Sequence, residues 1–198
     1  MRRYVFFLMI SCGAAGAFLS CNPRPASEQE AARDSNEVRF KQKSDKSVAA
    51  TLERDALFAV DAAGSGMMEA ELGITAVDKA SEKQVRQLGD SMAHAYTAAN
   101  AALKNIAAKK NISIPAVPAD GNILRELRGI KGAAFDDRYL QQVKKMHASD
   151  IELFKRYISA GKDSDLLRWA ILRLPVLEQQ LEYIKAVDST VMQQRRTY

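Results

Sequence analysis

The chain has 198 residues, 47% hydrophobic and 27% charged, with 10 Gly and 5 Pro, which excludes collagen-like and largely disordered classes and suffices for one domain with one good core. Its formal charge of +5 arises from 29 basic and 24 acidic residues, and two of the basic ones, Arg2 and Arg3, stand at the N-terminus. The others are scattered rather than grouped with aromatics, which argues against nucleic-acid binding.

Arg2 and Arg3 precede an uncharged apolar stretch from Tyr4 to Leu19, and small residues follow. This is the layout of an export signal. The stretch falls short of the ~20 residues that a spanning helix needs. Within it, Phe18-Leu19-Ser20-Cys21 resembles the lipobox of bacterial lipoproteins, in which the cysteine after the cut is acylated. The competing Ile10-Ser11-Cys12 leaves an apolar region too short to engage the export machinery. Cleavage before Cys21 removes Cys12 and leaves one thiol, so a disulfide framework is excluded from the mature chain. Residues 1–20 are therefore predicted to be a lipoprotein signal peptide and Cys21 the lipidation site. The partner implied is a membrane of the cell envelope, periplasm-facing or outer, held by acyl chains at ~0.8 kcal/mol per buried methylene.

Residues 21–46 contain Pro23, Pro25, many charges and only Val38 and Phe40 as sizeable apolar side chains. They predict a flexible tether with a reach of about 25–30 Å, with a frayed start of the first helix from Val38 onward as the alternative.

Residues 47–198 predict an all-α domain of four helices. In the first, Val48, Leu52, Ala59, Ala62, Gly66, Glu69, Gly73 and Ala76 recur at steps of three and four, with a bend allowed at Gly64-Ser65-Gly66. Ser81-Glu82-Lys83-Gln84 has the form of a capping box and opens the second, with Val85, Leu88, Met92, Ala99, Leu103 and Ile106 inward. Pro115, Pro118 and Gly121 end it, and Ile123 to Leu127 suggests a short helical piece. Asp136 or a neighbour can cap the third helix, whose inward face holds Leu140, Val143, His147, Ile151, Phe154 and Ile158. Asp163 caps the fourth, with Leu167, Ala170, Leu174, Leu177, Leu181 and Ile184 inward and a kink at Pro175. The order is hairpin, long connection, hairpin. The connection is long enough to run back along the bundle, which gives a ferritin-like crossover; a plain up-down-up-down bundle is the other architecture the lengths allow.

Several blocks coincide with one family: Asp55 with Phe58 and Ala62-Ala63; Glu69-Ala70-Glu71-Leu72-Gly73; Met92 followed by Asn100 and Leu103; Phe135-Asp136-x-x-Tyr139-Leu140; His147; and Leu174-Pro175-x-Leu177. From about Leu52 to Val187 the chain resembles the bacterial family called domain of unknown function (DUF) 4142. The resemblance implies a ferritin-like helical bundle in exported or lipid-anchored proteins and carries no established reaction. The family usually shows a histidine in the second, third and fourth helices. Here the first position falls on Tyr96, His147 matches the second, and Gln180 occupies the third.

His94 does not substitute for the missing histidine, because two residues along a helix rotate a side chain by about 200°. A di-iron bundle needs Glu from two helices and Glu-x-x-His from the other two. Here Ser91 stands three residues before His94, Lys144 three before His147, and the fourth helix has no histidine. That chemistry is not expected. Glu69, Tyr96, His147 and Gln180 then form a candidate interior polar network, in which a buried carboxylate and imidazole need partners. No cofactor is predicted; the metal-binding alternative is one transition-metal ion held by His147 with Glu69 or Glu71. Met67, Met68, Met92 and Met146 would suit Cu(I), yet methionine at helical positions is far more often core filling. No Gly-x-Ser-x-Gly, phosphate loop or His-Glu-x-x-His occurs, so enzymatic activity is not expected. The expected role is a lipid-anchored binding or structural module of the envelope; the sequence names no protein or small-molecule partner.

Overall fold

The computed structural model describes residues 27–118 and 121–197; the leader and Cys21 lie outside the described residues. Six helices and no strand occur among them: α1 (Glu28–Lys41), α2 (Lys46–Lys79), α3 (Lys83–Lys109), α4 (Asn122–Gly129), α5 (Gly132–Ala160) and α6 (Ser164–Thr197). The chain is all-α, as its periodicity predicts.

α2 and α3 form one antiparallel hairpin, and α5 and α6 form another; α2 lies against α5, and α3 against α6. The α2 stripe is made of small residues, so its neighbour approaches closely. A Cβ placed on Gly73 would lie 2.5 Å from the Gly89 carbonyl oxygen, which only two glycines at the crossing permit. The connection through α4 spans the bundle lengthwise. At one end Lys110, just after α3, pairs with Asp163 and Asp165 at 2.7 and 2.8 Å. At the other, the start of α5 meets the α2–α3 turn through Asp136.

Each hairpin turn is held by a carboxylate from the opposite hairpin. Asp136 accepts the Ser81 N–H at 3.1 Å, the Glu82 N–H at 3.2 Å and the Ser81 hydroxyl. Asp55 accepts the Lys162 N–H at 3.1 Å, the Asp163 N–H at 3.0 Å and the Tyr157 hydroxyl at 2.9 Å. The backbone donors among them stand at helix starts and have no partner within their own helix. Two expectations are corrected accordingly. Ser81 is not an N-cap: Glu82 takes that position, with no side-chain bond, because the Ser81 hydroxyl is given to Asp136. Asp136 does not cap its own helix, which starts at Gly132 after Lys131, but reaches across to α3. Asp163 does cap α6, accepting from the N–H groups of Asp165 and Leu166 at 3.0 Å. α6 continues through Pro175, and α2 through Gly64-Ser65-Gly66.

The two halves also share a sequence pattern. One and the same offset carries Asp55 to Asp136, Phe58 to Tyr139, Glu69-Ala70-Glu71-Leu72 to Asp150-Ile151-Glu152-Leu153, and the clamped Ser81 and Glu82 to the clamped Lys162 and Asp163. The reciprocal clamps are the structural expression of that repeat.

The segment expected to be a tether is largely a folded helix. Ser27 caps α1 by accepting the Glu30 N–H at 3.1 Å. Ala32, Asn36 and Phe40, at steps of four, are buried against α2. Asn36 donates to the Ser113 carbonyl and accepts the Ser113 N–H, both at 2.7 Å, and Arg39 donates to the Asn111 carbonyl at 2.6 Å. Two large apolar residues looked too few to dock a helix; polar bonds to the backbone after α3 make up the difference. Val48, expected inward, is instead 47% exposed.

Candidate functional site

Midway along the bundle, ionisable side chains from four helices meet in the core. α2 supplies Glu69 and α5 supplies His147, both 0% exposed. Their stripes put them on inward faces, and antiparallel packing brings the faces together. His147 Nδ1 lies 3.0 Å from Glu69 Oε1, but it is also 2.9 Å from the Val143 carbonyl one turn back, in good alignment. The Nδ1–H is therefore given to the carbonyl. Neither Glu69 oxygen has an aligned hydrogen bond, so the proximity to His147 is an electrostatic contact.

α3 supplies Tyr96, whose hydroxyl is 3.2 Å from His147 Nε2. With Nδ1 protonated, Nε2 accepts from the tyrosine. α6 supplies Arg173, whose guanidinium carbon sits 5.0 Å from the centre of the Tyr96 ring in a cation–π contact. One Arg173 nitrogen is buried and unpartnered. Asp150, one turn beyond His147 on α5, is buried and accepts both of its bonds, 2.7 and 2.9 Å, from the Ser65 hydroxyl. Asp150, Tyr96 and Arg173 line a cavity of about 10 Å³ together with Asn100 and Trp169, roughly the space of one water. Tyr139 is wholly buried, and its hydroxyl has no partner.

Burial dominates the ionisation of this cluster. It raises the Glu69 carboxyl above the ordinary carboxylate range, with His147 and Arg173 pulling the other way. Burial, and after it the neighbouring Glu69 charge, pushes Asp150 up to about 7. Burial disfavours the His147 imidazolium, yet Glu69, the Val143 carbonyl and Asp150 together hold the histidine above its usual value. Burial also raises both Tyr96 and Tyr139, with Glu69 adding to it. Every one of these shifts is upward, in favour of the protonated form.

Three of the four residues singled out from the sequence, Glu69, Tyr96 and His147, come together. Gln180 is not tied to them: its Oε1 is buried and accepts no hydrogen bond. Glu71 is corrected as a partner for His147, because it points outward and pairs with Arg128 at 3.2 Å. His94 is exposed, as its helical phase requires, and Met92 is buried in the core. Arg173 and Asp150 were missed, though each left a signal. Arg173 lies on the same stripe as Ala170 and Leu177, and Asp150 is the repeat-related counterpart of Glu69.

A ferritin-like bundle implies two bridged metals, with carboxylates on all four helices and imidazoles on two. The residues do not fit: α3 presents Tyr96, α6 presents a cation, and no three His, Cys, Asp or Glu side chains converge among the described residues in a way that could hold an ion.

Comparison with known proteins agrees with this fold. A solved structure described as a secreted DUF305 protein from Streptomyces coelicolor superposes with a TM-score of 0.59 at 16% identity, covering 66% of this chain and 88% of that one. At that identity the likeness speaks for the fold alone. No curated protein matches the chain. The family described as Domain of unknown function (DUF4142) matches residues 40–187, most of the chain and all of the clamps and buried cluster, and the protein belongs to that family.

Proposed function

We propose that this protein is exported and anchored by lipid at Cys21, and that it works at the cell envelope as a helical binding or structural module. The observation that carries the reading is Phe18-Leu19-Ser20-Cys21 at the end of an uncharged apolar leader. Two further points support it. No described helix is long and apolar enough to cross a membrane, so attachment would have to come from elsewhere. The core cluster also lacks the open, solvent-reached pocket that a reaction centre for a soluble substrate needs, since its cavity is about 10 Å³.

The folded α1 changes the geometry of attachment. It begins at Glu28, so only a few residues separate Cys21 from the folded domain, and a chain of that length spans at most about 20–25 Å. The domain therefore sits close to the lipid surface, with α1 as its nearest element.

Cells producing wild type or Cys21→Ser, fed a labelled fatty acid, provide the test. Label in the wild-type band alone is the expected result, together with release of the variant from the membrane fraction. Equal labelling of the two bands would refute the anchor.

A further inference from the structure

Tyr96, Tyr139 and Tyr157 are all buried in the core, and their hydroxyls differ in what they meet. The Tyr139 hydroxyl has no partner. The Tyr157 hydroxyl donates at 2.9 Å to Asp55, a carboxylate already engaged by two backbone N–H groups. Of the three, only Tyr96 faces an imidazole nitrogen, His147 Nε2, at 3.2 Å.

That difference governs how easily each phenol can lose an electron. The phenol cation left behind sheds its proton to a base in reach, and without one the uncompensated charge in the core costs several kcal/mol. Tyr139 has no such base. An imidazole ordinarily titrates at about 6.5 and a carboxylate at about 4, so His147 takes a proton more readily than Asp55. Its Nε2 lone pair is aimed at the hydroxyl because Nδ1–H is held by the Val143 carbonyl at 2.9 Å. The imidazolium that forms keeps that bond and lies beside Glu69, whose Oε1 is 3.0 Å from Nδ1. From α6, the Arg173 guanidinium sits 5.0 Å from the centre of the Tyr96 ring. It opposes a ring that keeps both its proton and a positive charge, which ties electron loss to proton transfer. Asp150 is the further ionisable group beside the pair and shares a cavity wall with Tyr96 and Arg173. An electron, unlike a substrate, needs no open pocket. Trp169 of α6 is half-buried and lines the same small cavity, so an oxidisable indole stands between Tyr96 and the surface.

We propose that Tyr96 and His147 form a proton-coupled redox pair: Tyr96 gives one electron, through Trp169, to a one-electron oxidant such as a peroxyl radical, while its phenolic proton passes to His147 Nε2. The Tyr96 O–H bond breaks and an N–H bond forms on His147. The oxidant is reduced to its anion, and the core is left with a neutral phenoxyl radical and an imidazolium next to Glu69. This capacity is independent of lipid attachment at Cys21.

The experiment uses the mature chain from Cys21 onward with Cys21→Ser throughout, so that the thiol cannot supply the electron. Tris(bipyridine)ruthenium(III), generated by a light flash, is the oxidant. The tyrosyl radical is followed by transient absorption and by electron paramagnetic resonance of frozen samples. The parent chain should give a tyrosyl signal that is lost in Tyr96→Phe and kept in Tyr183→Phe, which removes a tyrosine that is 47% exposed. Formation should be slower in D₂O and should quicken with rising pH, as the imidazole loses its proton and becomes able to accept one. His147→Gln can still accept the tyrosine hydrogen bond but is too weak a base to take the proton, and should slow formation by about 100-fold. Trp169→Phe should slow it and leave the radical on Tyr96.

A signal unchanged in Tyr96→Phe would overturn the proposal, and so would an equal rate in His147→Gln. An equal rate in Trp169→Phe overturns the route through the indole. Should a variant fail to fold, the parent chain decides: equal rates in H₂O and D₂O, or a signal lost in Tyr183→Phe, overturn the pair.

Discussion

The Asp55 carboxylate accepts the backbone N–H groups of Lys162 and Asp163, which lie 107 and 108 positions further along the chain, at 3.1 and 3.0 Å. Asp136 does the same for Ser81 and Glu82. An asparagine keeps the shape but retains one acceptor oxygen and turns an NH₂ group toward a backbone N–H. Asp55→Asn and Asp136→Asn should each cost about 2–3 kcal/mol. Urea unfolding should show a lower midpoint with an unchanged slope; an unmoved midpoint would show that the turns hold without their clamps.

The α2–α3 crossing makes a sharper steric prediction. A methyl on Gly73 meets the Gly89 carbonyl oxygen at 2.5 Å and the Ala93 nitrogen at 2.8 Å, both backbone atoms that cannot swing aside. Gly73→Ala should destabilise by about 1–3 kcal/mol. Gly129, in α4, has nothing within 4 Å of the same position, so Gly129→Ala should leave Tm level or raised. Thermal denaturation of the pair separates steric crowding from a general aversion to alanine. Equal losses at both sites would count against the crossing.

Much of the fold was legible in the sequence, because four long helices with apolar stripes at steps of three and four leave few ways to bury themselves. The stops were legible for the same reason: Gly161 and the prolines after Asn111 stand at the helix ends. The turn chemistry was not. Ser81-x-x-Gln84 is a valid local cap, but a carboxylate from a distant helix offers the same donors two oxygens at once, and nothing local announces it. The interior site was half legible. Glu69, Tyr96 and His147 fall on inward stripes; Arg173 shares the stripe of Ala170 and Leu177, but nothing local to it announces the Tyr96 ring it meets. Glu71 stands two residues from Glu69 and is therefore rotated by about 200°, out of the core toward Arg128.

The raised carboxyl of Asp150, about 7, ties stability to pH. Unfolded, this group titrates near 4; folded, it holds its proton to higher pH. The native state thus binds more protons between about pH 4 and pH 7, so stability falls as pH rises through that window. Glu69 and His147 are also raised and act with the same sign, the histidine above its unfolded value of about 6.5. Tyr96 from α3 and Arg173 from α6 complete the surroundings. Tm should be higher near pH 5 than near pH 8, with about 1–4 kcal/mol from Asp150. Asp150→Asn still accepts from Ser65 and no longer titrates, so it should raise Tm more at pH 8 than at pH 5. Parallel profiles for wild type and variant would show that Asp150 does not carry the dependence.

Whether α1 is part of the fold or merely leads into it can be decided at two residues. Phe40 is 3% exposed within the main core, and its truncation to alanine should cost about 3–5 kcal/mol. Asn36 serves the backbone of Ser113 as both donor and acceptor, and Asn36→Ala strips two partners from that connection, at about 1–3 kcal/mol. A flexible tether would give neither loss, since an unpacked segment contributes nothing to the unfolding equilibrium. Hydrogen exchange offers the matching local observation: amides from Ala32 to Phe40 should exchange slowly in wild type and quickly in Phe40→Ala, while the middle of α5 stays protected in both. Slow exchange confined to the four long helices in wild type would return residues 28–41 to the role of a tether and lengthen the reach from Cys21 accordingly.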